Sequence, residues 1–235
     1  MCSGTGWFPP AYEKMWAMTS EGPLADESAE AMEAAAGIEL CREGHRRLIA
    51  TVSGLDDETV GRPSLLPGWS VGHVLSHVAR NADGHTRRLE GALRGEEIPR
   101  YPGGSSQRES DIEAGALRGA RELAADVTST AEALEDVWTR SADAGWPGRS
   151  MLAGDAWRTP ESPWRRLREV EVHHADLGLD YSPEDWSEEY LRWELPRALA
   201  TVPGRIDNPG DARRFLAWLI GRRSDPGSPE LGPWD

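Results

Sequence analysis

Two short stretches of this 235-residue chain hold reactive side chains at spacings that suit shared chemistry. In Gly72-His73-Val74-Leu75-Ser76-His77 two imidazoles stand four residues apart. In Arg168-Glu169-Val170-Glu171-Val172-His173-His174 the carboxylate of Glu169 and the imidazole of His173 have the same spacing. On a helix such pairs are neighbours, with Cβ atoms about 5–6 Å apart. A carboxylate and an imidazole so placed can share a divalent cation, and one histidine from a facing helix completes a His2Glu set. Zinc held by three protein ligands keeps a fourth position open for water or substrate, the arrangement of catalytic sites. The same spacing also suits a surface ion pair. At about 100° per residue, His77 falls beside the apolar arc of its helix, and Glu169 and His173 fall beside theirs. Both sets are therefore expected at the flank of a core, and spacing leaves metal site and solvated ion pair both open.

The elements that would carry these residues are helical. Residues 1–25 are rich in Gly, Pro, Ser and Trp without a period and read as a loose extension, within which Met18 is an alternative start. Good helix formers run from Ser28 to Val52. Ser70 is placed to cap a second helix that reaches Arg94, with Trp69 and Val74 at the staple positions. Ser110-Asp111-Ile112-Glu113 reads as a capping box opening one long helix through Val137, on the stripe Ile112, Ala116, Ala120, Leu123, Val127, Ala131, Leu134 and Val137. A fourth helix follows Pro163 and stops at Gly178. A fifth begins near Ser182 and is kinked or ended near Pro196, and a sixth covers Pro209 to Ile220. Four amphipathic helices with short loops predict a mainly α bundle. The organisation expected is an extension over 1–25, a bundle over 26–180 and a short C-terminal domain and tail over 181–235.

Composition narrows the function. Twenty-six basic residues against forty acidic ones give a formal charge of −14, which argues against a nucleic-acid or anionic-membrane partner. No apolar run is long enough to span a bilayer, and the first ten residues have no basic-then-apolar secretory pattern. A cytoplasmic protein, monomeric or a small homo-oligomer, is the expectation. Cys2 and Cys41 alone make neither a disulfide scaffold nor a thiolate zinc finger. Lys14 is the only lysine beside 25 arginines, a bias that fits GC-rich coding.

The runs Leu65-Leu66-Pro67-Gly68-Trp69-Ser70-Val71-Gly72-His73-Val74-Leu75-Ser76-His77 through Gly84, and Leu167 through Gly178, resemble the two signature segments of the mycothiol-dependent maleylpyruvate isomerase family. The closing Phe215–Arg222 stretch and Pro233-Trp234 are similar to the end of that family's C-terminal domain. The resemblance implies a DinB-like metal-binding four-helix bundle with a short C-terminal domain, mostly helical or α/β. It implies His77, Glu169 and His173 as metal ligands, with His73 a neighbour, and a divalent metal, zinc first, with mycothiol as thiol cofactor or cosubstrate. It implies Arg222 as the residue acting on substrate, with Arg223 beside it as the alternative. Arg80 and Asn81 are assigned to the cofactor pocket, His174 reads as a core histidine, and Glu171 as a solvated charge.

Chemistry and resemblance fit together. Rotating a cis double bond conjugated to a carbonyl needs a transient single bond, which a thiolate creates by conjugate addition and removes by elimination. The chain's own cysteines are poorly placed, so the thiol comes from outside, and a small-molecule electrophile and mycothiol are the implied partners. Only 62 residues follow His173, and the stretch between Trp193 and Phe215 is shortened relative to the family. That departure keeps a second reading, a mycothiol S-transferase or thiol-exchange enzyme in detoxification or specialised-metabolite biosynthesis. A third is a non-catalytic, metal-stabilised binding module.

Overall fold

The computed structural model describes residues 27–148, 158–222, 227–229 and 231. The expectations for the N-terminal extension, for Arg223 and for Pro233-Trp234 fall outside the described residues. Among these residues eight α-helices follow in order: α1 (Glu27–Ser53), α2 (Asp57–Gly61), α3 (Val71–Leu93), α4 (Gly104–Ala116), α5 (Ala120–Asp143), α6 (Ser162–Asp176), α7 (Glu188–Arg205) and α8 (Pro209–Leu219). No strand occurs among the described residues, and the fold is mainly α. Residues 25–190 form one compact unit, and a second contains the chain from Leu191 onward.

In the first unit the four long helices pack around one core in the order α1, α5, α3, α6. The residues that meet there are the ones the 3.6-residue period selects. Leu48 and Val52 come from α1, Leu75, Val78, Ala82 and Leu89 from α3, Leu123, Val127, Leu134 and Trp138 from α5, and Leu167 and Val170 from α6, all buried. Each buried Leu or Val among them stabilises the fold by about 1.5–3 kcal/mol on transfer from water.

The helix ends that matter for the site have local causes. Ser70 caps α3, its side-chain oxygen accepting from His73 N at 3.3 Å, while His73 Nδ1 accepts from Ser70 N at 3.2 Å. This reciprocal cap occupies His73 and starts the helix at Val71, six residues before His77. Gly178 ends α6 in the left-handed region (φ 66°), which a side chain with a Cβ rarely adopts, and its N–H bonds Ala175 O at 3.0 Å.

The single long helix expected from Ser110 is two helices. The Ser110–Glu113 box lies inside α4, and the chain breaks at Leu117–Gly119 before α5. Gly119 is extended there, and the first N–H of α5, on Ala120, is capped from a distance by Asp57 Oδ1 at 2.7 Å. The stripe still faces inward from both sides of the break, which is why its period is continuous in sequence. Gly115 lets α4 approach α3 closely: a Cβ there would sit 2.9 Å from Ser76 Cβ and nearer still to its hydroxyl.

Glu171 is not a solvated charge. It is 1% exposed and accepts from Arg47 at 2.7 Å and from the Tyr181 hydroxyl, while its carbonyl accepts from Trp186 Nε1. These bonds tie residues 181–186 to α6, and Tyr181 stacks on the buried His174 ring at 3.9 Å. In the second unit α7 continues through Pro196 and Pro203 instead of ending at the first. Asn208 caps α8, and Gly221 and Arg222 close it by bonding Trp218 O and Ala217 O. Arg222 is exposed. No helix among the described residues is long and apolar enough to cross a membrane.

Candidate metal centre

Helices α3 and α6 each bring one end of a donor set to the same place. His77 Nε2 lies 3.2 Å from Glu169 Oε2 and 3.0 Å from His173 Nε2, and the last two atoms are 3.5 Å apart. Among the described residues this is the group of histidines and carboxylates whose ligand atoms converge, all within 4.8 Å. Zinc bonds of about 2.0–2.1 Å in tetrahedral directions separate ligand atoms by roughly 3.3 Å. The three observed separations bracket that value, so the donor set fits a divalent ion in both chemistry and size.

Neighbours orient the two imidazoles. His173 Nδ1 donates to Asp176 Oδ2 at 2.8 Å, which fixes the ring with Nε2 facing Glu169 and His77. His77 Nδ1 accepts from Arg108 Nη2 at 3.0 Å, and the His77 ring meets Trp69 edge-on at 5.7 Å. His77 is 5% exposed, more deeply buried than the helical wheel implies. The wheel counts only bundle faces, whereas Trp69 from the loop before α3 and Arg108 from α4 cover this flank.

The charges follow. Burial would raise the Glu169 carboxyl, but hydrogen bonds from His173 and His77, with their charge, reverse this and hold it well below the usual carboxylate range. Burial lowers His77, and the bond to Glu169 offsets this only in part. Burial also acts to lower His173, yet Glu169 and Asp176 together raise it above the ordinary imidazole value. The set thus offers an ionised carboxylate and two imidazoles in unequal protonation states, for which metal and protons compete.

The triad lies in a cavity of about 440 Å³ shared with Leu66, Trp69, Asn81, Arg100, Tyr101 and Arg108. Asn81 is therefore in the pocket wall. Arg80, one residue earlier, does not line it; its guanidinium pairs with Asp126 at 2.6 Å and Asp83 at 3.2 Å. His73 is held by the Ser70 cap and by Glu113 at 3.3 Å, outside the donor set. Arg222 belongs to the second unit, where it bonds Ile220 O at 3.3 Å. Cys41 is fully buried, and burial pushes its thiol far above the range of a reactive thiolate. Arg108, Arg100, Tyr101 and Asp176 were not singled out by sequence reasoning. Only Asp176, three residues after His173, carried a readable signal, the i, i+3 spacing of a carboxylate behind a ligand histidine.

An all-α bundle with a His2Glu donor set at the wall of a pocket resembles the DinB-like fold. The family model for the mycothiol maleylpyruvate isomerase N-terminal domain matches residues 41–178, more than half of the chain, and the chain belongs to that family. Crystal structures of the mycothiol-dependent maleylpyruvate isomerase and of a point variant of it are similar in fold. Each is 28% identical over 68% of this chain and 66% of the solved chain, with a TM-score of 0.63. The chain thus spans just under two thirds of those proteins' length. A search of curated proteins returned no match.

Proposed function

We propose that this protein is a divalent-metal-dependent enzyme, zinc being the first candidate, that activates the thiol of mycothiol for attack on an electrophilic small molecule. The reaction closest to hand is cis–trans isomerisation of a maleylpyruvate-like substrate. The observation that carries this reading is the convergence of His77, Glu169 and His173 on one pocket, with no reactive thiol beside it among the described residues. An ion held there supplies the positive charge that converts a bound thiol into a thiolate. Were His77 to hold an ion through Nε2, its proton would sit on Nδ1, and Arg108 would then have its donors available for a ligand. Arg108 has no carboxylate partner among the described residues and is suited to a substrate carboxylate. Trp69 and Leu66 cover the apolar side and limit water. Arg222, with Arg223 as the alternative, is proposed to act on substrate, and Arg80 to support the cofactor pocket. The working compartment is the cytoplasm, where thiols stay reduced.

The second reading is an S-transferase or thiol-exchange enzyme. It is favoured by the partial likeness to the solved isomerase structures, which covers 68% of this chain at 28% identity and leaves room for a different electrophile. Mass spectrometry of purified protein with mycothiol and candidate electrophiles separates the two. A product of unchanged mass supports isomerisation, and a thiol adduct supports transfer. In His77→Ala, bound metal and thiol-dependent turnover should vanish together while the helical signal persists. Full metal content in that variant, by elemental analysis, removes His77 from the centre and the reading with it.

A further inference from the structure

One turn before Glu169 on α6, Arg166 is fully buried. Its Nη1 donates to Val78 O at 2.8 Å and to Asn81 Oδ1 at 2.9 Å on α3, and its Nε donates to His45 Nε2 at 3.2 Å on α1. A guanidinium has donors only, so the Asn81 amide must turn its oxygen to Arg166 and its NH2 away. Asn81 is 2% exposed, and the surface it keeps lines the pocket that holds His77, Glu169 and His173. Its Nδ2 donates to no protein group among the described residues. The pocket's carboxylate, Glu169, is already engaged by two imidazoles, whereas Arg108 adds further donors to the lining. A ligand must therefore bring the acceptors.

We propose that Asn81 Nδ2 donates a hydrogen bond to a carbonyl or carboxylate oxygen of the pocket's ligand, and that Arg166 is the positioning residue that fixes this orientation. The inference rests on the reading of this pocket as the ligand site, and it adds to that reading a neutral donor and the residue that aims it. It also explains why a guanidinium is buried behind the metal ligands. Arg166 holds three helices and an amide at once, which an apolar residue cannot do.

The test is calorimetric titration of maleate into the full-length, zinc-loaded protein. Asn81→Asp keeps the side chain's shape and an acceptor for Arg166 but removes the donor. Asn81→Ala removes the donor without adding charge. Both are expected to weaken maleate binding at least tenfold, about 1.4 kcal/mol, with zinc stoichiometry unchanged. Loss in Asn81→Asp alone means charge repulsion, and loss in Asn81→Ala alone means that Asn81 serves only as Arg166's partner. Either result overturns the inference, as does no loss in both or no maleate binding by the wild type. Arg166→Met should lower affinity as Asn81→Ala does, and Arg166→Lys, which retains a donor for Oδ1, should recover it. If the wild type holds no zinc, the metal reading fails separately, and the same Asn81 comparison is made on the metal-free protein.

Discussion

Replacing Asp176 by Asn should weaken metal binding without weakening the fold, and the structure gives both magnitudes. Asp176 Oδ2 accepts from His173 Nδ1 at 2.8 Å and is part-buried. Asn keeps the shape and one acceptor but loses the charge that fixes the His173 tautomer and raises its basicity. Loss of such a supporting carboxylate costs about 10–100-fold in metal affinity, or roughly 1.4–2.7 kcal/mol. The metal-free fold feels two small opposing changes. The pair with His173 is worth about 0.2–1 kcal/mol. Asp176 is also the last residue of α6, where a negative charge opposes the helix dipole by about 0.3–1 kcal/mol. These nearly cancel. At free zinc a hundred times the wild-type Kd, binding adds about 2.7 kcal/mol of stability, and a 10–100-fold weaker site retains roughly 1.4–0.4 kcal/mol. For a chain this size the zinc-induced rise in Tm should then shrink by about 3–9 °C. The assay is thermal denaturation with and without zinc, paired with competition titration against a chelator. Zinc affinity within threefold of wild type, or a metal-free Tm that collapses, would refute the role given to Asp176.

Gly115→Ala should destabilise the protein by about 1–3 kcal/mol, because the added Cβ meets Ser76; helix propensity alone gives the opposite sign. Urea unfolding decides between them. His85 is buried against Ser162 at 2.9 Å, and burial holds its imidazole well below the ordinary value. Its folded pKa lies below the unfolded one, so the unfolded chain binds the extra proton between the two. Stability should therefore fall as pH drops below about 6.5, by at most about 1.4 kcal/mol per unit for this residue. Denaturation of His85→Gln across that window should show a shallower acid loss, and an unchanged slope would exclude His85 as a contributor. Arg222→Ala should retain metal and thiol binding but lose turnover, and unchanged steady-state kinetics would point to Arg223 or to no arginine in that role.

What was legible in the sequence depended on how far apart the interacting residues lie. The bounds of α1, α3 and α6 follow from caps and breakers within a few residues, such as Ser70 with His73 and the left-handed Gly178. The break before α5 did not, because its cap, Asp57, is 63 residues away. A Glu–His pair at i, i+4 located one half of the donor set, but nothing in spacing distinguished His73 from His77. That choice depends on Ser70 occupying the first ring and on α6 facing the second. Glu171 read as solvated because Arg47, 124 residues earlier, is invisible to a local pattern.

The charge of −14 takes on a different meaning once Arg108 and Arg166 are placed. Many of the described arginines pair with nearby carboxylates, as Arg140 does with Asp136 and Arg46 with Glu43. Such pairs contribute little to stability. Arg166 and Arg108 differ: one is buried on a carbonyl, an amide and an imidazole, the other has an imidazole and the Tyr101 ring. Leaving a cation in the interior without a carboxylate costs stability, and a fold selected for stability alone would neutralise it. Both of these cations adjoin the walls of the Glu169 pocket. Placed there, their positive charge offsets the net negative potential of the chain where an anionic ligand would enter, and a neutral, packed replacement could not do so.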